Sequence, residues 1–202
     1  MNNLITKPTE LSLNILSEYI SKGDIVIDAT AGNGHDTLAL AKLVGLEGTV
    51  YAFDIQEIAL QKTKTLLEQE GYISRCILIL DSHNHMKENI PYSQIEKISA
   101  VIFNLGYLPN EEKRITTTLE TTLPAVKQAL ELIKVNGVVA ITMYDGHPSG
   151  KAEKEGLLKF SKELPAKEYH AAYISLINQK NQPPELIFIT KKKSIANYDK
   201  SR

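Results

Sequence analysis

The most informative segment of the chain is Ile25-Val-Ile-Asp-Ala-Thr-Ala-Gly-Asn-Gly-His-Asp-Thr37. Its apolar start predicts a buried strand over residues 25–28 that ends in a carboxylate. Gly32 and Gly34 then predict a tight turn, because glycine adopts positive φ and lets a ligand approach the backbone N–H groups. A helix is predicted to follow over residues 35–43. Strand, glycine turn and helix in this order are typical of open α/β folds that bind a ligand beyond the strand ends.

The charges in this turn discriminate between ligands. The dinucleotide fingerprint Gly-x-Gly-x-x-Gly is matched only in part, because Thr37 occupies its third glycine position. Asp28 and Asp36 would repel a pyrophosphate, whereas they suit a ligand that has a cationic group and no phosphate. The turn therefore favours S-adenosylmethionine (SAM) as cofactor, and a dinucleotide-dependent reductase is the alternative.

The composition is that of an ordinary globular protein. Of the 202 residues, 43% are hydrophobic and 23% are charged, which predicts one domain over residues 1–202. No apolar run approaches the roughly 20 residues of a membrane-spanning helix, and no signal-peptide pattern is present, so we expect a cytoplasmic protein. The single cysteine, Cys76, lies in an apolar run and is expected to be a small core residue.

Extended and helical patterns alternate along the chain, which predicts a mainly parallel sheet with helices on both faces. Strands are expected at residues 25–28, 49–54, 76–80, 99–103, 138–144, 169–177 and 186–190, and helices at 10–20, 37–43, 57–69 and 119–133. The last two strands follow each other without a helix, so they should pair antiparallel. The predicted fold is α/β: a Rossmann-like, seven-stranded, mostly parallel sheet with a C-terminal antiparallel hairpin, as in class I methyltransferases.

Four polar residues finish the first four predicted strands: Asp28, Asp54, Asp81 and Asn104. They are 23 to 27 positions apart, about one β-α unit, so they should line the same sheet edge. Asp54 follows Gly34 by 20 residues, the distance at which an acid reaches the hydroxyls of a cofactor ribose. Asp81, with Ser82 and His83, would then lie where an adenine ring is recognised.

Two further segments point to the group that is modified. Asn104-Leu-Gly-Tyr107 resembles the Asn/Asp-x-x-aromatic signature of amine-directed methyltransferases, in which the amide orients an amine and the ring stacks on a base. Tyr144-Asp-Gly-His147 follows the fifth strand at the same edge. His147 could accept a proton, since the ordinary histidine pKa is about 6.5, or could position the substrate.

The C-terminal part of the chain is basic. Residues 149–202 hold 11 Lys and Arg against 6 Asp and Glu, which favours contact with a polyanion such as RNA. Five lysines are expected to face phosphates: Lys151, Lys154, Lys191, Lys192 and Lys193. A solvated lysine-rich surface is the alternative interpretation.

Five blocks carry a resemblance to a known family: residues 28–37, 51–56, 103–109, 146–154 and 177–184. Over residues 25–184 the chain resembles a small family of bacterial methyltransferases that were long labelled rRNA methylases. Its members are associated with methylating the aminomethyl group of the wobble uridine in tRNA. The chain departs from the family at Asn110-Glu-Glu-Lys113, where the family usually has Gly-Gly-Asp-Lys.

The resemblance implies methyl transfer from SAM to 5-aminomethyl-2-thiouridine at position 34, in the tRNA anticodon loop. Together with the residue patterns, it predicts a cofactor site made of Asp28, Thr30, Gly32, Asn33, Gly34, Asp36, Thr37, Asp54, Gln56, Asp81, Ser82, His83 and Asn104. Asn104, Tyr107, Tyr144 and His147 would face the uridine. No metal is expected, and a homodimer is expected by analogy with class relatives. A methyltransferase of rRNA or of a small-molecule amine is the alternative.

Overall fold

The structure is a computed structural model that describes residues 7–106, 116–144, 146, 148–179 and 183–193. In this part of the chain the strands are β1 (Ile25–Asp28), β2 (Thr49–Asp54), β3 (Cys76–Leu80), β4 (Ile98–Asn104), β5 (Ile133–Met143), β6 (Tyr169–Ile174) and β7 (Glu185–Lys191). The α-helices are α1 (Pro8–Ser17), α2 (His35–Val44), α3 (Glu57–Glu70), α4 (Met86–Asn89), α5 (Leu119–Leu132) and α6 (Pro148–Glu163).

All seven strands join one sheet in the order β3-β2-β1-β4-β5-β7-β6. Strands β1 to β5 pair in parallel, and β7 runs antiparallel to both β5 and β6. The predicted sheet and its C-terminal hairpin are confirmed. The chain winds outward from β1 in one direction and from β4 in the other, and ligands of such folds bind where this order reverses.

Helices cover both faces of the sheet, as predicted. On one face Val26 of β1 belongs to a buried cluster with Leu16 of α1 and Leu40 of α2. On the other face Ile27 belongs to a cluster with side chains of α4, α5 and α6, such as Leu157. Because successive strand residues point to opposite faces and both faces are covered, β1 is apolar along its length up to Asp28.

The largest differences from the expected bounds lie around β5. The strand begins at Ile133, five residues before the expected position. Asn136 adopts φ 63° next to Gly137, and the register against β4 shifts between Ile98 and Ala100. The Asn-Gly pair therefore forms an irregularity inside a paired strand, although an Asn-Gly pair in isolation favours a turn. The helix α6 was not among the expected helices, and β6 ends at Ile174.

Two smaller features bear on the expectations. In the described part of the chain, none of the helices is long and apolar enough to cross a membrane. Cys76 is partly buried at the start of β3, and burial raises the pKa of its thiol to about 12. The thiol therefore stays protonated and unreactive at neutral pH.

Candidate active site

A cavity of about 720 Å³ opens at the carboxyl ends of β1 to β5. Its volume is in the range of pockets that hold small molecules and cofactors. Most of the predicted site residues line it: Thr30, Gly32, Asn33, Asp36, Asp54, Gln56, Asp81, Ser82, His83, Asn104 and Tyr144. The parallel topology therefore brings the loops after five strands to one place.

Three predicted cofactor residues support the loop after β1 and do not line the cavity. Asp28 is buried; it accepts hydrogen bonds from Thr37 Oγ1 at 2.6 Å and from the Thr30 N–H at 3.1 Å. Gly34 has φ +83° and lies so close to α3 that a Cβ would come within 2.8 Å of the Thr63 Cα. Asp28, Gly34 and Thr37 therefore support the loop from beneath, and their direct contact with the cofactor stays a prediction.

The acids of this loop are held in an environment that opposes their ionisation. Burial, together with the nearby Asp36 carboxylate, raises the pKa of Asp28 to about 7. Burial also raises the pKa of Asp36 and of Asp54 above the ordinary range of aspartate. A positive charge in the cavity would favour the ionised forms of all three. The cavity therefore suits a cationic ligand.

Asp54 joins the loops after β1 and β2. Its Oδ2 accepts a hydrogen bond from the Gly32 N–H at 2.9 Å, and its Oδ1 accepts one from the Gln56 N–H at 2.9 Å. The Thr63 hydroxyl holds the same glycine from below, donating to the Gly32 carbonyl at 3.2 Å. Each carboxylate oxygen keeps capacity for a further donor, which is what a ribose hydroxyl supplies.

His83 lines the cavity and has one ring nitrogen without a partner among the described residues. Its Nδ1 lies 3.2 Å from the Ala29 carbonyl, which can only accept, so Nδ1 carries the proton. The ring edge packs on Phe103, and burial lowers the pKa of His83, so the ring is neutral at pH 7. Nε2 is buried without a partner among the described residues. Such a nitrogen can accept a hydrogen bond from the amino group of an adenine.

Asp81 organises the turn after β3. Its carboxylate accepts hydrogen bonds from the Ser82 N–H at 2.7 Å and from Asn89 Nδ2 at 2.9 Å, and pairs with His85 Nδ1 at 2.8 Å. The bond to His85 lowers the pKa of Asp81. The turn that carries His83 is therefore fixed by an ionised Asp81.

Asn104 has the same kind of unsatisfied group. Its backbone N–H donates to Thr30 Oγ1 at 2.7 Å, and its side-chain Nδ2 donates to Asp36. With the amide held in this way, Oδ1 is buried and has no partner in the described part of the chain. Buried polar atoms are rarely left unpaired, so this oxygen is a candidate to accept a hydrogen bond from a substrate.

Tyr144 lies on the cavity wall near Asn104. A Cβ at Gly106, where φ is +147°, would lie 3.8 Å from the Tyr144 ring. Burial, with the charge of Asp36, raises the pKa of the Tyr144 phenol. The hydroxyl therefore stays protonated and is available as a hydrogen-bond donor.

Part of the cavity wall is not predicted from the sequence. Thr9 of α1 and a group of threonines at the start of α5 also line the cavity: Thr116, Thr117, Thr118 and Thr121. A threonine run ahead of a helix is ordinarily interpreted as a helix cap, and only the packing of α1 against the sheet brings Thr9 to this edge. Tyr107, His147 and the divergent stretch 110–113 lie outside the described residues.

The expected RNA-facing lysines are divided between two edges of the sheet. Because β7 runs antiparallel to β5, its end at Lys191 lies at the edge opposite to the cavity. The Lys191 Nζ is buried, pairs with Glu96 at 3.0 Å and donates to the Ile133 carbonyl at 3.0 Å. Lys192 donates to the Ala166 carbonyl at 2.6 Å.

The prediction that Lys191 faces a phosphate is therefore wrong, whereas contact of Lys192 and Lys193 with phosphates stays a prediction, at the edge opposite to the cavity. Lys154 is paired with Glu185 and is only partly exposed. Lys151 is exposed in the first turn of α6, next to the carboxyl end of β5. Of the five lysines, Lys151 is the exposed one on the cavity side.

Comparison with known proteins identifies similar chains. The family profile described as "Putative rRNA methylase" matches residues 50–190. The chain is 37% identical to the chloroplastic tRNA (mnm5s2U34)-methyltransferase of Arabidopsis thaliana, over 93% of this chain and 70% of that protein.

Two solved structures are also similar. The "putative rRNA-methylase" of Clostridium thermocellum is 39% identical with a TM-score of 0.87, covering 91% of this chain and 97% of that one. A "putative methyltransferase" of Streptococcus mutans, in complex with S-adenosylhomocysteine (SAH), is 42% identical with a TM-score of 0.82, covering 92% and 98%.

Proposed function

The chain belongs to the "Putative rRNA methylase" family and is a SAM-dependent methyltransferase that acts on RNA; from this premise we propose that it methylates a tRNA wobble uridine. The proposed acceptor is the aminomethyl nitrogen of 5-aminomethyl-2-thiouridine at position 34 in the anticodon loop. The product would be 5-methylaminomethyl-2-thiouridine, the nucleoside in the name of the Arabidopsis relative.

The observation that carries the proposal is the free Oδ1 of Asn104. Its amide nitrogen donates to Asp36, which leaves the oxygen as an acceptor with no partner in the described part of the chain, and Asn104 belongs to the cavity wall. An amine N–H can donate to this oxygen, and the nitrogen lone pair then points away from it. A thymine-like or unmodified uracil ring offers no alkyl amine for this contact.

The cofactor residues account for the other end of the cavity. Asp54 would accept from the ribose hydroxyls, and the free Nε2 of His83 would accept from the adenine amino group. Asp36 would lie on the cationic side of the ligand. When bound, SAM supplies a methyl group on a positively charged sulfur, which an amine can displace without a covalent enzyme intermediate.

The chain must also favour the neutral amine. An alkyl amine is largely protonated at neutral pH, by analogy with lysine, and an ammonium group cannot attack. Burial beside Asn104 lowers the pKa of the acceptor amine because a desolvated ammonium is disfavoured. The released proton would pass to water or to His147, which follows β5 in the sequence.

The remaining expectations stay predictions: the single domain over residues 1–202, the cytoplasmic location and the homodimer. Contact with the RNA backbone is proposed for Lys151 alone among the exposed lysines.

A dinucleotide-dependent reductase is no longer an alternative, because the chain is a methyltransferase. An rRNA methyltransferase remains the second candidate, since the family description names rRNA.

A panel of acceptors tests the proposal. The purified chain is incubated with SAM bearing a labelled methyl group and with tRNA that carries 5-aminomethyl-2-thiouridine, the same tRNA lacking the aminomethyl group, or ribosomal RNA. We expect label in the first RNA only, recovered in the position 34 nucleoside. Label in ribosomal RNA, with none in the first tRNA, would establish the second candidate instead.

A further inference from the structure

A buried carboxylate outside the cavity, Glu153 of α6, is not used by the chemistry above. Its side chain is 3% exposed, although glutamate is among the residues least often buried. The Thr117 hydroxyl donates to its Oε2 at 3.0 Å, and the Thr122 hydroxyl donates to its Oε1 at 2.5 Å. The carboxylate therefore connects α6 to the start of α5 and to the threonines of the cavity wall.

Thr117 also forms hydrogen bonds with the loop after β4. The Gly106 N–H donates to Thr117 Oγ1 at 3.0 Å, and the Thr117 N–H donates to the Gly106 carbonyl at 3.2 Å. Two hydrogen bonds thus join the residues on either side of the segment 107–115. Gly106 lies two positions beyond Asn104, and both it and Thr117 line the cavity.

The direction of these bonds explains why a carboxylate occupies this position. The Thr117 oxygen accepts from the Gly106 N–H, so its own proton must go to another acceptor. Glu153 is acceptor-only when ionised, and it satisfies two threonine hydroxyls at once. An amide in its place would present an N–H to one of the two hydroxyls.

We propose that Glu153 is a positioning residue for the methyl acceptor. By fixing the Thr117 hydroxyl, it holds Gly106 and Thr117 together at the cavity wall, two residues beyond Asn104. The inference rests on the proposed function, because it takes the cavity wall around Asn104 and Gly106 as the acceptor side. The cofactor residues after β1, β2 and β3 are not part of this connection.

The test compares Glu153→Gln with Glu155→Gln, a matched change at an exposed glutamate of the same helix. For Glu153→Gln we expect the single-turnover rate of tRNA methylation at saturating SAM to fall by at least about tenfold. The dissociation constant of SAH, measured by calorimetry, should stay within about twofold of wild type. Glu155→Gln should match wild type in both measurements.

Hydrogen–deuterium exchange supplies a measurement that does not depend on the acceptor. Peptides covering residues 105–118 should exchange faster in Glu153→Gln, whereas peptides covering residues 28–37 should be unchanged. A purely structural role would instead lower SAH affinity and the rate together. That result, or exchange and rate equal to those of Glu155→Gln, would overturn the inference.

A second variant protects the test against misfolding. Thr117→Val removes the hydroxyl that links Gly106 to Glu153 and leaves the carboxylate in place. It should reproduce the faster exchange and the slower methylation, and wild-type behaviour of this variant would also overturn the inference. If the wild-type chain methylates no aminomethyl-uridine tRNA, the proposed function fails, while the exchange measurement still decides whether Glu153 holds this segment.

Discussion

Asn104 is the residue whose geometry bears most directly on the acceptor. Because its Oδ1 has no partner in the described part of the chain while Nδ2 donates to Asp36, removing the side chain should remove the hydrogen bond that we propose orients the amine. We expect Asn104→Ala to lower the methylation rate by more than about tenfold, which corresponds to about 1.4 kcal/mol of transition-state stabilisation. SAH affinity, measured by calorimetry, should change little.

Asn14→Ala is the matched control, since Asn14 is exposed on α1 and its side-chain Nδ2 donates to the Glu10 carbonyl of the preceding turn. It should leave both measurements unchanged. An equal loss of SAH affinity and rate in Asn104→Ala would show that Asn104 serves the cofactor and not the amine.

Asp28 makes stability depend on pH. Its folded pKa of about 7 lies above the unfolded value of 3.8, so between these pH values the folded state binds the extra proton. Stability therefore falls as the pH rises through this window. Asn cannot ionise, so the free energy of unfolding of Asp28→Asn relative to wild type should rise by on the order of 2 kcal/mol from pH 5 to pH 8. Urea unfolding of the cofactor-free protein measures it.

Asp24→Asn is the control for this prediction. Burial of Asp24 is outweighed by the Ser21 N–H and by Lys134, so the pKa of Asp24 is lowered. Its contribution to stability is lost only as the pH falls below the ordinary aspartate pKa, so its difference from wild type should be constant from pH 5 to pH 8. A constant difference for Asp28→Asn as well would contradict the account of the buried acid.

At this scale the sequence could predict position but not orientation. Asp54, His83 and Asn104 were placed correctly at the cavity because carboxyl ends of parallel strands meet at one edge. The sequence could not show that the Asp28 carboxylate accepts a hydrogen bond from the Thr37 hydroxyl, or that Lys191 is buried and paired with Glu96. Both interactions depend on tertiary packing.

Helices α2 and α3 are in close contact at Gly34, and this contact supports the cofactor loop. A Cβ there would lie 2.8 Å from the Thr63 Cα, and the residue has φ +83°. Gly34→Ala should therefore lower stability by about 2 to 4 kcal/mol, from left-handed strain and overpacking together, and should weaken SAH binding. Thermal unfolding and calorimetry measure the two effects.

Gly71→Ala isolates the backbone contribution. Gly71 ends α3 with φ +78°, but a Cβ there would meet nothing within 4 Å. This variant should lose about 1 kcal/mol and keep wild-type SAH affinity. If the two variants behaved alike, the close approach of α2 and α3 would have no role in shaping the site.

The elements themselves were predicted unevenly. Strands β1, β2 and β3 agree with the expected bounds residue for residue, because each is a short apolar run with a polar residue at or directly after its end. The start of β5 was missed because Asn136-Gly137 is a strong local turn signal, which pairing with β4 overrides. Helix α6 was missed because it begins at Pro148-Ser-Gly150, residues that favour a loop in isolation.

At the level of the whole molecule, the candidate active site lies at one edge of the sheet. The cavity and Lys151 lie at the carboxyl ends of the parallel strands, whereas Lys193 lies beyond β7 at the opposite edge. Lys151→Gln should weaken tRNA binding and reduce the slope of log affinity against log salt concentration by about one. Lys193→Gln should leave the slope unchanged. Fluorescence anisotropy across a salt series measures both slopes. A reduced slope for Lys193→Gln with an unchanged slope for Lys151→Gln would indicate that RNA binds at the opposite edge.

The proposed reaction is methylation of the aminomethyl nitrogen of a wobble uridine. Mass spectrometry of tRNA nucleosides from cells that lack the chain decides whether it takes place. We expect 5-aminomethyl-2-thiouridine to accumulate and its methylated form to disappear, with recovery on return of the wild-type chain but not of Asn104→Ala. Unchanged levels of the methylated nucleoside in cells without the chain would contradict the account.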